Sequence, residues 1–258
     1  MSAIFTNVDV PGARLHYLVH AMAGDHTVVT ADPRGIGGSV VEDPTQDSTP
    51  ELRADDVVAI LDDLGADRAD VFGSSGGAVT GLALVARHPH RVRTLVAHEP
   101  PLLELLPDAA EQRAATEAIV TTFHSDGMQA AWVKFMVNAG FDMTAPDAAA
   151  VEPPQPSAQE MSDATHFFTH ELRPTTRYLP DVEALRAGRV ALGLGAESGR
   201  LLTWRPTPAL ADLMGTAPVM FPGAHGGFLS APGAFADVLR LELGQARRAR
   251  VPHPTSTA

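Results

Sequence analysis

The most informative stretch of the sequence for the fold is Val71-Phe72-Gly73-Ser74-Ser75-Gly76-Gly77-Ala78. It places a Gly-x-Ser-x-Gly pattern between a predicted strand and a predicted apolar helix. In that context Ser75 lies at the apex of a sharp, strained turn. The chain on either side passes so close that glycine is expected to be needed at Gly73 and Gly77. The pattern therefore predicts a serine hydroxyl that is lifted clear of the sheet.

The same turn directs the N-terminus of the following helix at Ser75. The Gly76 amide is therefore predicted to stabilise an oxyanion that forms on a group attacked by this serine. A hydroxyl is a weak nucleophile at neutral pH, so a histidine must take its proton and a carboxylate must hold that histidine in the right tautomer. The next residues to identify are therefore a histidine and an acid.

The sequence contains eleven histidines, and His225 is predicted to be the base. It follows the last predicted strand in Phe221-Pro-Gly-Ala-His-Gly-Gly-Phe228, where glycines on both sides free the loop to present a ring at the end of the sheet. Its position downstream of Ser75 fits the chain order Ser, acid, His. Other histidines, within strands or helices or beside prolines, are expected to be structurally satisfied or exposed: His16, His26, His88, His90 and His98.

Strands and helices are predicted to alternate on both sides of a central segment, which indicates a parallel sheet. The predicted strands are 69–72, 92–97, 189–194 and 217–221, and the predicted helices are 76–87, 208–214 and 233–243. We therefore assign residues 1–100 and 190–258 to one α/β core. The segment between them, residues 101–189, has helical stretches near 108–124, 127–139 and 157–172 and a proline-rich passage at 151–156, and we predict an inserted helical lid.

The N-terminal part of the core is predicted to contain a hairpin, a strand and a helix. Residues 4–19 alternate apolar and polar side chains around Pro11-Gly12, as an antiparallel hairpin with one buried face does. Residues 26–31 form a short β-branched run that we predict to be a buried strand. Thr49 is the expected N-cap of a helix that ends at Gly65.

Four stretches together resemble the α/β-hydrolase family outside the lid. They are Asp32-Pro-Arg-Gly-Ile-Gly-Gly-Ser39, Gly73–Pro89, Arg91-Val-Arg-Thr-Leu-Val96 and the loop of His225. The resemblance implies an α/β-hydrolase fold, with a mostly parallel sheet, helices on both faces and a helical cap over the pocket. By analogy Ser75 is the nucleophile, His225 is the general base and the Asp32 loop is structural. The resemblance implies no cofactor and no metal.

The acid of the expected triad has two candidates. Family members usually place an aspartate after the strand that here spans residues 190–194, but that loop contains Glu197 one residue earlier and Ser198 at the expected position. A second arrangement uses a carboxylate directly after the strand that follows the nucleophile helix, and Glu99 fits that offset. A glutamate reaches one methylene farther than an aspartate, so Glu99 and Glu197 both stay candidates.

The N-terminal region is shorter than the resemblance implies. The family has a further strand, a His-Gly type oxyanion loop and a helix before the strand equivalent to residues 26–31, whereas here His20-Ala-Met-Ala-Gly-Asp25 leads directly into it. Either His20 and Ala21 stand in for the missing turn, or the strand is absent and the sheet closes over the gap. In both cases the second oxyanion donor has no clear source, so turnover is expected to be slow.

The lid holds seven of the fourteen aromatic residues. They can form the core of the lid, or some can line an apolar pocket together with its methionines. The second alternative favours a medium-sized, uncharged acyl or aromatic substrate over a highly charged one.

Composition excludes several classes of function. The formal net charge of −12 argues against a nucleic-acid partner, and the absence of cysteine removes disulfides, thiolate nucleophiles and cysteine-bound metals. Without a signal-like N-terminus or a long apolar run, a cytoplasmic location without membrane contact is expected, and the oligomeric state stays open. The sequence thus predicts an esterase-like serine hydrolase of a small molecule. The alternative is a catalytically impaired protein of the same fold that binds a small apolar ligand.

Overall fold

In the part of the chain that the structure describes, the strands form two sheets of four strands each. The computed structural model describes residues 4–21, 27–141 and 155–248. The first sheet contains β1 (Ile4–Val10), β2 (Ala13–Ala21), β3 (Thr27–Ala31) and β4 (Val40–Val41), and the second contains β5 (Ala69–Ser74), β6 (Val92–His98), β7 (Val190–Gly195) and β8 (Val219–Phe221).

Helices follow the strands in the predicted order. The described helices are α1 (Pro50–Asp63), α2 (Gly76–Arg87), α3 (Ala109–Asp126), α4 (Met128–Ala139), α5 (Ala158–His166), α6 (Leu172–Thr176), α7 (Val182–Ala187), α8 (Pro206–Met214), α9 (Gly227–Ser230) and α10 (Pro232–Arg248). One π-helical turn, Phe167–Glu171, joins α5 to α6. Within the described ranges, no helix combines the length and the apolar character that a membrane span needs.

The N-terminal sheet confirms the predicted hairpin and corrects one burial prediction. β1 and β2 pair antiparallel around the turn at residues 11–12, and β3 pairs antiparallel with β2. Ala13, Leu15 and Ile60 form the small core beneath the hairpin. The prediction that residues 26–31 are a buried strand is wrong as to burial, because none of the β3 side chains is buried. This strand ends its sheet, so neighbouring strands cover it less than a central strand.

Contacts between residues divide the chain into two compact units. One consists of residues 1–67 and 101–179, and the other of residues 68–100 and 180–258. The division into a core of residues 1–100 and 190–258 and a lid of residues 101–189 stays a prediction.

The first unit is held together by buried ion pairs and by an aromatic core. Arg34 donates to Asp56 at 2.9 Å, and Arg53 pairs with Glu171 on the π-helical turn. The prediction that the lid aromatics form a core of their own is confirmed for five of the seven. Phe168 is fully buried, and the other four pack against its cluster: Phe123, Trp132, Phe135 and Phe167. Residues 151–154 of the proline-rich passage lie outside the described residues.

The second unit is the parallel part of the α/β fold. Its strands run in the order β5-β6-β7-β8, all parallel, as the alternation of strands and helices predicts. Helices α2 and α10 both pack against β6. Because carboxyl ends of parallel strands meet at one edge of a sheet, the residues that follow β5, β6, β7 and β8 are brought together there.

Candidate active site

Ser75 lies between β5 and α2 in a strained backbone conformation. Its φ is +55°, in the region that residues with a side chain rarely adopt, and its amide donates to the carbonyl of His98 at 2.9 Å. Among the described residues other than glycine, only Ser75 and Glu99 have a positive φ. Strain of this kind is kept where the surrounding structure enforces it, and it concentrates at functional sites.

The sharp turn requires glycine at Gly73 but not at Gly77. A Cβ atom on Gly73 would lie 2.3 Å from the carbonyl oxygen of Gly77, which is an impossible contact with backbone. A Cβ atom on Gly77 would have nothing within 4 Å. Of these two glycines, only Gly73 is therefore needed for the close approach of the chain on the two sides of Ser75. The prediction that both glycines are needed is wrong for Gly77.

These two glycines should respond oppositely to alanine. Gly73→Ala is expected to lower the free energy of unfolding by about 1–3 kcal/mol, because backbone must move to admit the methyl group. Gly77→Ala is expected to raise it by about 0.5–1 kcal/mol, since alanine restricts the unfolded chain and fits the helix. Urea denaturation of both variants measures the difference, and equal losses would contradict the close approach at Gly73.

Glu99 is the first residue after β6, and the structure places its carboxylate against His225. Its Oε2 lies 2.6 Å from Nδ1 of His225, and its Oε1 accepts a hydrogen bond from the Gly195 amide at 2.8 Å. The Glu99 side chain is fully buried, whereas the His225 side chain is 22% exposed. Glu99 has a φ of +48°, and its own amide donates to the Gly193 carbonyl at 3.0 Å. Hydrogen bonds thus hold both the backbone and the carboxylate of Glu99 in place.

The surroundings of Glu99 keep its carboxylate ionised. Burial alone would raise the pKa of this carboxyl group, but hydrogen bonds from His225 and from the Gly195 amide outweigh it and hold the pKa below its usual value. A buried carboxylate on Nδ1 of a histidine favours the tautomer whose Nε2 can accept a proton.

Glu197, the other candidate acid, lies apart from this arrangement. It is exposed in the loop after β7, and its amide donates to the Gly223 carbonyl at 3.0 Å. Thr203 is a further side chain at the Glu99–His225 pair. Its hydroxyl donates to Glu99 Oε2 at 3.2 Å and lies 3.3 Å from His225 Nδ1. Sequence reasoning missed Thr203 because no motif marks it.

His98 is the second residue that sequence reasoning missed. Its ring is fully buried and stacks on His225, with ring centroids 6.2 Å apart and an angle of 29° between the planes. The Ser74 hydroxyl lies 3.1 Å from His98 Nδ1, while His98 Nε2 has no hydrogen-bond partner among the described residues. The prediction of a satisfied or exposed histidine is therefore wrong. The available signal was its position next to Glu99 at a strand end.

His98 should make the protein sensitive to acid. Burial is the main cause that lowers the pKa of its ring to about 4; the charge of Glu99 opposes this shift and that of His225 adds to it. Because the unfolded chain has a histidine pKa of about 6.5, it binds the proton first as the pH falls, so stability present above pH 6.5 is lost between pH 6.5 and 4. The expected loss from this group between pH 7.5 and 5 is about 2 kcal/mol.

Denaturation of the wild type and His98→Gln at both pH values tests this expectation. The variant should lose about 2 kcal/mol less than the wild type on acidification, because the other titrating groups are common to both proteins. Identical losses would show that His98 titrates normally.

The oxyanion donors predicted from the sequence differ in how the structure presents them. Gly76 is the first residue of α2, where amides have no partner within the helix. His20 and Ala21 continue β2 and pair with Val28 and Thr27, so a turn at this place does not begin before residue 22. Their role in an oxyanion hole stays a prediction. The sheet does not close over the gap, because β3 and β5 belong to separate sheets in the described part of the chain.

Comparison with known proteins gives consistent likenesses. Residues 12–173 match the family described as alpha/beta hydrolase fold. The chain is 30% identical over 251 residues to the "uncharacterized hydrolase YraK" of Bacillus subtilis (strain 168), a match that covers 86% of this chain and 89% of the relative.

Two solved structures have a similar fold. A hydrolase from Pseudomonas aeruginosa PA01 superposes with a TM-score of 0.69 at 22% identity, covering 93% of this chain and 98% of that one. A thermophilic esterase from Thermogutta terrifontis superposes with a TM-score of 0.69 at 15% identity, covering 95% and 99%. At these identities the likenesses concern the fold alone.

Proposed function

Because this chain belongs to the α/β-hydrolase family and is an enzyme of the hydrolase type, we propose that it cleaves an ester or a related acyl bond of a small molecule by means of a serine nucleophile. Ser75 attacks, His225 acts as general base and Glu99 orients the histidine. Gly76 supplies one oxyanion donor. The chemistry needs no cofactor.

The observation that carries this proposal is the 2.6 Å hydrogen bond between Glu99 Oε2 and His225 Nδ1. It joins a buried carboxylate to a partly exposed histidine at the edge of the sheet where Ser75 lies. The strained backbone of both Ser75 and Glu99 supports the same assignment, because these residues follow neighbouring parallel strands.

In the proposed reaction, the Ser75 hydroxyl oxygen bonds to the carbonyl carbon while its proton passes to Nε2 of His225. The tetrahedral intermediate collapses, the bond to the leaving oxygen breaks, and the leaving alcohol takes the proton from His225. A water molecule then attacks the acyl-enzyme with His225 again as base, which releases a carboxylic acid and restores the Ser75 hydroxyl. Glu99 remains ionised throughout and stabilises the imidazolium form.

The proposed substrate is small and uncharged near its reacting bond. A net charge of −12 disfavours the approach of anionic substrates. The lid aromatics give less support for an apolar substrate pocket than the sequence suggested, because five of them pack into one cluster. Chain length or aromatic character of the acyl group is therefore not part of the proposal.

Covalent labelling with a fluorophosphonate probe tests whether Ser75 is activated. The intact protein should react at one serine, and digestion followed by mass spectrometry should place the adduct on Ser75. A heat-denatured sample is the control and should not react. Failure of the folded protein to react would overturn the proposal.

A second candidate function is binding of a small apolar ligand without turnover. It is favoured by the five residues between the end of β2 at Ala21 and the start of β3 at Thr27, which are too few for a strand, an oxyanion loop and a helix. The fluorophosphonate experiment separates the two candidates, because a binding protein has no activated serine.

Turnover of simple activated esters is expected to be slow. Gly76 is the clear oxyanion donor, and the loss of one donor costs roughly 10²–10³ in rate, or about 3–4 kcal/mol. Against a typical value of ~10 s⁻¹, kcat should be about 0.01–0.1 s⁻¹. Steady-state kinetics on a panel of p-nitrophenyl esters measures it. A kcat of ~10 s⁻¹ on any of them would show a complete oxyanion hole.

A further inference from the structure

Three metal-binding side chains converge at the site. His98, Glu99 and His225 each offer one ligand atom, and these three atoms lie within 4.8 Å of one another. His98 and Glu99 are fully buried, while His225 is reached from solvent. Two histidines and one glutamate are a ligand set that zinc takes in catalytic sites, where a fourth position stays open.

The unused nitrogen of His98 is an independent sign of a ligand. Its Nδ1 is occupied by the Ser74 hydroxyl, but Nε2 is buried without a partner among the described residues. Buried polar atoms are nearly always hydrogen-bonded, so an orphaned one calls for an explanation. The rings of Phe221 and Phe235, each with its centroid 5.5 Å from that of His98, hold the imidazole in place without offering it a conventional hydrogen-bond partner.

We propose that His98, Glu99 and His225 form an inhibitory zinc site that competes with the catalytic use of the same Glu99 and His225. This inference rests on the proposed function, because it assumes that His225 is the base. The zinc site differs from the proposed catalytic arrangement because it adds His98, a residue that the hydrolytic mechanism does not use.

Zinc on Nδ1 of His225, the nitrogen that lies 2.6 Å from Glu99 Oε2, would block the base. On Nδ1 it forces the single proton of the neutral ring to lie on Nε2, with no net release of protons. Glu99 then exchanges its hydrogen bond to His225 for a bond to the metal.

The donors must be rearranged to bind zinc. Zinc bonds of about 2.0–2.2 Å place tetrahedral donors about 3.4 Å apart. At present Glu99 Oε2 and His225 Nδ1 lie 2.6 Å apart, and the three ligand atoms lie within 4.8 Å of one another. His225 is the residue able to move, because it lies in the loop after β8, whereas His98 and Glu99 are fully buried at the end of β6.

Calorimetric titration of the EDTA-treated full chain with zinc tests the proposal. The wild type should bind one zinc ion, and His98→Gln should bind it at least about tenfold more weakly. His90→Gln is the matched control, since the same change at an exposed histidine should alter the affinity less than about twofold. Zinc should also inhibit ester hydrolysis reversibly, with EDTA restoring the rate.

Binding and inhibition give separate outcomes. Equal zinc affinity of the wild type and His98→Gln, or no saturable binding, overturns the inference. If the protein shows no esterase activity, the proposed function fails, but calorimetry still decides whether the zinc site exists. If His98→Gln does not fold, His225→Gln replaces it in the titration and must weaken binding by the same factor. Zinc binding without inhibition also overturns the proposal.

Discussion

Replacement of Ser75 by alanine is expected to abolish both fluorophosphonate labelling and ester hydrolysis. The variant removes the oxygen that forms the acyl-enzyme in the proposed mechanism, and loss of a triad nucleophile costs at least about 10⁴-fold in kcat. The free energy of unfolding should change by less than about 1 kcal/mol, because the strained φ of +55° is equally strained for alanine. Labelling, p-nitrophenyl ester kinetics and urea denaturation measure these three quantities.

Ser74→Ala is the matched control for Ser75→Ala. Ser74 is the last residue of β5, and its hydroxyl lies 3.1 Å from Nδ1 of His98. Loss of that contact should lower the free energy of unfolding by about 0.5–1.5 kcal/mol and leave labelling in place. If the Ser74 variant loses labelling and the Ser75 variant keeps it, the assignment of the nucleophile is wrong.

Glu99→Gln is expected to lower kcat by about 10⁴-fold. The amide has nearly the shape of the carboxylate, but its NH₂ group can donate to His225 Nδ1. The ring proton then lies on Nε2, and this nitrogen cannot accept the proton of Ser75. Because Glu99 is fully buried, circular dichroism of the variant should accompany the kinetic measurement on p-nitrophenyl esters.

Glu197→Gln makes the same chemical change at the other candidate acid. Glu197 is exposed, so its variant should retain the wild-type rate within about twofold. Small and equal losses in both variants would falsify the assignment of a triad carboxylate to either position.

Several local structures follow directly from the sequence. Helix α2 begins and ends at the predicted residues, Gly76 and Arg87. Thr49 caps α1 by accepting a hydrogen bond from the Leu52 amide, as predicted. These elements depend on residues close together in the chain, so spacing and capping preferences are sufficient.

Burial and contact were harder to predict. The β-branched run at β3 indicated a strand but did not show that the strand would be exposed. Open space beside Gly77 depends on the path of the whole turn rather than on the Gly-x-Ser-x-Gly pattern. Both properties depend on which other segments pack nearby, and no local pattern contains that information.

Local sequence patterns predicted the strand-turn-helix at Ser75, the parallel alternation around it and the two candidate acids. The contact of His225 with Glu99 rather than Glu197, and the stacking of His98 behind the His225 ring, are evident only in the folded chain. Glu99 and His225 are 126 residues apart in the chain. They meet because β6, β7 and β8 pair in parallel, so pairing register and the positive φ of Glu99, rather than chain spacing, aim the carboxylate at the imidazole.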